Sequence, residues 1–266
     1  MNIFNSNKLE GLKQKFDEEG YVVIRNVIDA ELVQQSRDHI NWLLENHPDT
    51  RPEQLHHTLM VDDPFWVRLV KEERLLDIAE QFIGPNIALF ASHYISKPPR
   101  DGQAVLWHQD GSYWPLKPMK VITLWLAIDE STPENGCMRV IPRTQDMDLQ
   151  ELQERHDVPN VLASGIDESL VDQAEAVDLI LKPGDVSIHH PNVIHGSNAN
   201  NSDKWRRALT IRYIPTTTRV TDETWPSVFL LRGEAVPGIN DYRPYPRYVE
   251  CKHFRFRGSE NWPPEN

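Results

Sequence analysis

The spacing of hydrophobic positions changes character near residue 85. Before that point it is helical. Leu9, Leu12 and Phe16 recur on one face and predict a short amphipathic helix over residues 7–19. The β-branched, aromatic-led run from Tyr21 to Val27 predicts a strand. Asp29 stands where an N-cap is needed for a second helix reaching about Glu45, with Leu32, His39, Trp42 and Leu43 on its buried side. Residues 64–82 predict another helical stretch, stopped by Gly84-Pro85.

Beyond residue 85 the apolar runs become short and are punctuated by Pro, Gly, Asn and Asp. Segments 87–96, 104–107, 121–128, 137–141, 179–181, 186–189 and 207–214 predict half-buried strands. Helices followed by seven or more strands predict a mixed, mainly β fold, with N-terminal helices packed on a double-sheet barrel such as a jelly roll. The expected layout is a single domain over 1–266: a helical part to about 85, a jelly-roll core over about 86–215 and a C-terminal wrap from about 216. Residues 144–176 are acidic and polar, which suits a long insertion or lid. The tail from Arg232, rich in Pro, Arg and aromatics, is expected to be ordered but irregular, wrapping the barrel.

Composition narrows the function classes. The 266 residues are 39% hydrophobic and 26% charged, enough to bury a sizeable core. A net charge of −12 argues against nucleic acid and anionic membranes as partners, but a local Arg cluster can still receive an anionic small molecule. Cys137 and Cys251 lie far apart and form no CxxC pair, so free thiols in a reducing, cytoplasmic compartment are expected. The N-terminal stretch lacks the basic-then-apolar order of a signal peptide. No apolar run approaches the roughly 18 residues of a membrane span. Oligomeric state leaves no signature.

The stretch most able to do chemistry is Trp107-His108-Gln109-Asp110-Gly111. On a strand, residues i and i+2 share a face, so an imidazole and a carboxylate would reach one ion. A third ligand is available from His189, His190 or His195. Two His and one carboxylate on one side of an ion leave the opposite positions open, the arrangement Fe(II) uses for a bidentate co-substrate and O2. A bare HxD pair is more often a surface ion pair or a helix cap, so the neighbouring sequence has to decide.

That context resembles the phytanoyl-CoA dioxygenase family of Fe(II)/2-oxoglutarate oxygenases. The matching blocks are FDEEGYVVIRNVI (16–28), SKPPRDGQAVLWHQD (96–110), ITLWLAIDESTPENGCMRVIP (122–142) and LKPGDVSIHHPNVIHGSNANNSDKWRRALTIRYI (181–214). The resemblance implies a double-stranded β-helix, or cupin-like, core. It implies His108, Asp110 and His195 as catalytic iron ligands, Fe(II) as the metal, and 2-oxoglutarate and O2 as co-substrates. His195 is preferred over His189 and His190 because Gly196-Ser197 follows it. Arg206 also lies eleven positions after it, the offset of the family's 2-oxoglutarate-binding Arg. A guanidinium suits a planar carboxylate better than Lys does. Ser197, Gln109, Trp125 and His93 are implied as further co-substrate contacts, though His93 fits a satisfied core histidine equally well. Arg207 alternates to the other face and is expected to be an exposed strand charge.

By the same resemblance, halogenating relatives replace the carboxylate with Gly or Ala, so Asp110 points to hydroxylation. Tyr113, Trp114 and Lys117 follow the HxD block and are candidates for substrate contact. Arg100, Arg143, Arg212 and Arg219 set local positive charge against the acidic average and hint at a small anionic or zwitterionic substrate, such as an organophosphonate or an amino-acid-like compound. An acyl-CoA or natural-product substrate, a non-catalytic metal-binding jelly roll and a zinc hydrolase are the alternatives. The chain reads Ile141-Pro-Arg-Thr-Gln145 where many family members have Pro-Gly-Ser-His.

Overall fold

A computed structural model describes the backbone of residues 6–264 and the side chains of residues 10–264. Its helices are α1 (Ser6–Glu19), α2 (Ala30–Asn46), α3 (His57–Met60), α4 (Pro64–Val70) and α5 (Glu73–Ile83). The strands are β1 (Tyr21–Ile24), β2 (Leu55–His56), β3 (Ile87–Tyr94), β4 (Val105–His108), β5 (Leu116–Lys117), β6 (Ile122–Ala127), β7 (Met138–Ile141), β8 (Gln153–Glu154), β9 (Ser164–Gly165), β10 (Val177–Asp178), β11 (Val186–His189), β12 (Ile194–Ser197), β13 (Ala208–Pro215), β14 (Arg219–Val220) and β15 (Phe229–Arg232).

Local chemistry explains the boundaries. The Asp29 carboxylate accepts the Leu32 N–H at 2.9 Å and caps α2, as its position predicts. Asp63 caps α4 in the same way, through Trp66 N at 2.7 Å. The strand expected over 21–27 stops at Ile24, because Asn26 takes a left-handed φ of 55° that no strand continues through. The helix expected over 64–82 is two helices, broken at Lys71-Glu72, where Glu72 is not helical.

Two antiparallel sheets form the jelly roll. The larger runs β1-β11-β6-β13-β3-β15, with β2 also paired to β3; the smaller runs β10-β7-β12-β4. Period-2 alternation sorts the large sheet's side chains. Ile122, Leu124 and Leu126 of β6, Val186 and Ile188 of β11, and Leu209, Ile211 and Tyr213 of β13 pack in one cluster with Leu32 and Ile40 of α2, Trp66 of α4 and Leu75 of α5. The alternate residues face the smaller sheet, where Trp125 and Ala127 meet Met138 and Val140. One sheet therefore carries a helix-covered apolar face and an inner face free to hold polar groups. Those inner positions are Thr123 and Trp125, Ser187 and His189, and Thr210 and Arg212.

The segment expected as a strand at 179–181 contributes only a bridge between Leu181 and Ser131. The unpredicted β12 is the strand that matters most, since it carries His195. Residues 144–176 form short 3-10 turns and the β8–β9 ladder, and Ile166 and Val171 pack on Trp107. The tail is irregular, and Tyr245, Phe254, Phe256 and Trp262 pack on the helix-side core. Leu12 and Phe16 of α1 join that core too; the Leu9 side chain lies outside the described residues. Cys137 is buried and Cys251 exposed, both as free thiols. No helix among the described residues is long and apolar enough to cross a membrane.

Trp66 is fully buried between the helices and the large sheet and donates its indole N–H to Ser92 Oγ at 3.1 Å. Trp66→Ala is expected to cost about 3–5 kcal/mol, read as a lower urea midpoint. A loss below about 1 kcal/mol would mean that this layer does not hold the helices on the sheet.

Candidate active site

The site is built from the ladder between β4 and β12, in which His195 lies opposite His108. Their rings are 4.1 Å apart between centroids. The chain stays extended through Gln109 (φ −114°, ψ 124°), and Asp110 then opens a 3-10 turn. The carboxylate therefore comes from the first residue of a turn, not from the strand itself, yet it still reaches the imidazoles. His108, Asp110 and His195 each offer one ligand atom, and these atoms lie within 4.8 Å of one another. His108 Nε2 is 3.5 Å and His195 Nε2 4.0 Å from Asp110 Oδ1.

Backbone carbonyls set the tautomers. His108 Nδ1 donates to Leu106 O at 2.8 Å, and His195 Nδ1 donates to Val193 O at 3.0 Å. A carbonyl only accepts, so each proton sits on Nδ1 and each Nε2 lone pair faces the shared space, the arrangement a metal-binding imidazole needs. Burial, with His108 and His189 beside it, holds the His195 pKa well below the ordinary imidazole value, so the ring is neutral at neutral pH. Burial alone would raise the Asp110 pKa. The Arg212 charge, the hydrogen bond from His189 and the other imidazoles around it outweigh burial and hold the carboxyl well below its usual range.

A second layer of polar groups surrounds Asp110. Its Oδ2 lies 3.4 Å from His189 Nε2 and 3.5 Å from Thr123 Oγ1, and its Oδ1 lies 3.8 Å from Arg212 Nη2. His189 thus sits inside the barrel behind the carboxylate. His190, on the other face of the strand, accepts Asn192 N–H through Nδ1 and lies against Phe16.

Arg206 borders the same cavity. It is 1% exposed, donates Nη1 to Ile95 O at 2.9 Å and lies 5.4 Å above the Trp125 ring. Its Nε has no partner, and no carboxylate among the described residues pairs with it. Burial pushes its pKa down to about 10, still far above neutrality. Beside it is Lys97, fully buried and not anticipated from sequence. Its Nζ donates to Ser197 Oγ at 2.7 Å and to Asn198 O. Two buried cations therefore converge on one end of the cavity without an acid to balance them.

Other expected contacts divide. Trp125, Ser197 and His93 line the cavity, and His93 donates to Glu53 O at 2.6 Å while stacking on His56 at 3.8 Å. Gln109 does not line it. Its amide donates to Asn192 O and accepts Gln150 N–H, tying two loops together. Lys117 is exposed, on the short β5–β14 ladder. Tyr113 sits edge-on to His108 and bonds Ser164 Oγ at 2.8 Å. Trp114 lies under Arg212, 5.4 Å from the guanidinium carbon. Arg207 is not an exposed charge, since Asp129 grips it through both carboxylate oxygens at 2.6 and 3.2 Å. Arg100 and Arg143 are exposed and paired with surface acids, and Arg219 is exposed and bonded to Gly238 O. Arg212 alone of that group enters the site. Its inward face was readable as an even-numbered step from Arg206, but only once the strand register was known.

A double-stranded β-helix enclosing two imidazoles, one carboxylate and a buried unpaired Arg defines the class of non-haem, 2-oxoglutarate-dependent oxygenases. The chain belongs to the phytanoyl-CoA dioxygenase (PhyH) family, whose model matches residues 16–208. It is 27% identical over 238 residues to the peroxisomal phytanoyl-CoA dioxygenase of Bos taurus, covering 78% of this chain and 69% of that protein. It is 34% identical over 148 residues to a probable alpha-ketoglutarate-dependent hypophosphite dioxygenase of Stutzerimonas stutzeri, covering 54% of this chain and 51% of that one. The non-heme monooxygenase ThoJ has the same fold, with a TM-score of 0.75 at 22% identity over 88% of each chain.

Two outcomes follow from this geometry. His189→Ala removes a hydrogen bond to Asp110 and should weaken Fe(II) or Co(II) binding about 10-fold in a metal titration; unchanged affinity would remove His189 from the site's support. Burial and the Arg212 charge push the His57 pKa down to about 4. The unfolded chain then binds the extra proton between pH 6.5 and 4, so the stability this neutral ring confers falls as the pH drops through that window. The metal-free protein should lose on the order of 1–2 kcal/mol from this group between pH 7 and 5, and His57→Gln should flatten the slope of a urea-midpoint series.

Proposed function

We propose that this chain is an Fe(II)- and 2-oxoglutarate-dependent hydroxylase acting on a C–H bond of a small anionic or zwitterionic metabolite, in a reducing compartment. The observation that carries the co-substrate is Arg206, a buried guanidinium with no acidic partner, aligned on Trp125 at the inner end of the cavity. An unpaired buried charge costs several kcal/mol, so a site that keeps one is built for an anion that arrives with the reaction. The far carboxylate of 2-oxoglutarate is that anion.

The donor set fits the metal. His108 Nε2, His195 Nε2 and one Asp110 oxygen would hold it on one side, leaving the other side to the co-substrate. The bound iron and 2-oxoglutarate together supply O2 activation, ending in succinate, CO2 and a hydroxylated product. The chain's own residues do the rest. Leu106 O and Val193 O fix the imidazole tautomers, and His189 and Thr123 aim Asp110. Arg206 orients the co-substrate, while Trp125, Val105 and Leu162 keep its path dry. Asp110 occupies the position that a halide would need, which favours hydroxylation.

Ser197 serves the co-substrate carboxylate in company with Lys97. Lys97 donates to the Ser197 oxygen, freeing the hydroxyl proton to point at the incoming anion. A zinc hydrolase has no use for this cationic end. The relative named for hypophosphite supports a small oxyanion as substrate, and the relative named for phytanoyl-CoA is why acyl thioesters belong in the test.

Purified enzyme with Fe(II), ascorbate and 2-oxoglutarate should release succinate faster when the right member of a panel of phosphonates, carboxylates, zwitterionic amino-acid-like compounds and acyl-CoA thioesters is added. Stimulation by acyl-CoA alone would overturn the small-metabolite reading, and no stimulation across the panel would count against the activity. Arg206→Gln should raise the 2-oxoglutarate concentration for half-saturation at least about 10-fold while leaving metal affinity unchanged.

A further inference from the structure

Beyond Arg206, which precedes β13, the inner face of that strand carries a second, half-buried guanidinium, that of Arg212. Arg206 and Arg212 are six residues apart, an even step, so both point to the cavity, with Ala208 and Thr210 between them. At about 3.3 Å per residue their Cα atoms are roughly 20 Å apart along the strand. Thr210 is opposite Trp125, and Arg212 is opposite Thr123, the residue beside Asp110. Each guanidinium rests on a tryptophan at 5.4 Å, Arg206 on Trp125 and Arg212 on Trp114.

Arg212 is poorly satisfied by its neighbours. Nη1 donates to Thr210 Oγ1 at 2.9 Å, Nε has no partner, and Nη2 reaches Asp110 only at 3.8 Å. Its side chain is 12% exposed. The other ionisable groups facing it, His56, His57, His93 and His189, are imidazoles that its charge pushes further towards neutrality. No acid other than Asp110 pairs with it among the described residues.

Counting charges in the loaded site isolates this group. A dication and Arg206 carry three positive charges; Asp110 and a dicarboxylate carry three negative. Arg212 is the surplus cation. Lys97 is already spent on Ser197 Oγ and Asn198 O.

Building on the oxygenase reading above, we propose that Arg212, backed by Trp114, receives the anionic group of the primary substrate, a carboxylate or a phosphonate. It would do so beside Asp110, while Arg206 holds the co-substrate. A guanidinium holds such an oxyanion at about 2.8 Å. Its head is itself only 3.8 Å from the Asp110 carboxylate. That spacing leaves room for a short link, so the oxidised carbon is the one bearing the anionic group or its immediate neighbour. Trp114 adds a flat apolar wall and keeps the cation from swinging away.

The test uses anaerobic holoenzyme loaded with Fe(II) and 2-oxoglutarate. Calorimetry reads the binding of methylphosphonate, with its neutral dimethyl ester as control, and the visible charge-transfer band reports the loaded site. Wild type should prefer the anion. Arg212→Gln should weaken methylphosphonate binding at least 10-fold with the band intact, and Arg212→Lys should recover part of the loss. Three results would overturn the proposal: equal methylphosphonate binding in Arg212→Gln, loss of the band in that variant (Arg212 then being a brace for Asp110), or bleaching of the wild-type band by methylphosphonate (the anion then entering at Arg206). A wild-type protein that forms no band removes the oxygenase reading itself, before Arg212 is in question.

Discussion

The register of β12 against β4 is the constraint on which the site depends. It puts His195 opposite His108 and, through the β12–β7 ladder, Val140 on the other flank. A slip of one residue would turn His195 out of the barrel and put Ile194 or Gly196 in its place. Two features pin the register. A bulge between His195 and Ser197 absorbs the local mismatch. Gly196 packs so closely that a Cβ there would meet Val105 O at 2.9 Å, a contact that only glycine avoids. The Gly after the distal histidine is therefore a packing requirement of the ladder that aligns the two imidazoles.

The second organising element is the division of labour across the large sheet. Its outer face gives Leu124, Leu126, Leu209 and Ile211 to the helices, and this apolar layer stabilises the sheet without help from the inner face. The inner face can then hold costly groups: His189, Thr210, Arg212 and, at the strand's entry, Arg206. Buried polar groups of this kind do not stabilise a fold by themselves, and each needs either a partner or a function. His189 has Asp110. Arg206 and Arg212 lack full partners in the protein, and both face the cavity.

The helices, the strand-rich core and the jelly-roll class were legible because period and turn chemistry are local properties. The helix broken at Lys71-Glu72 and the strand cut at Asn26 were not, since both breaks come from backbone conformation at single residues. β12 escaped because Ile-His-Gly-Ser carries no apolar alternation; its pairing partners, not its own residues, make it a strand.

In the site, His108, Asp110, His195 and Arg206 were implied by the family resemblance, not by the bare HxD pair, and the fold brings them to one cavity. Gln109 and Lys117 lie apart from that cavity because proximity in sequence says nothing of where a side chain is spent: one on two loop backbones, the other in solvent. Lys97 was hidden for the converse reason, and Arg212, named only as one of four local charges, was not singled out until the sheet placed it. A lysine before Pro98-Pro99 and one arginine among many look like surface charge until the sheet buries them. The central claim is that one metal sits between His108, Asp110 and His195 with 2-oxoglutarate reaching Arg206. Diffraction from anaerobically grown crystals containing Fe(II) and 2-oxoglutarate tests it most directly. An anomalous iron peak is expected within bonding distance of both Nε2 atoms and of Asp110, with the far carboxylate of 2-oxoglutarate on Arg206. Iron held instead by His189, or a co-substrate that leaves Arg206 unpaired, would contradict it.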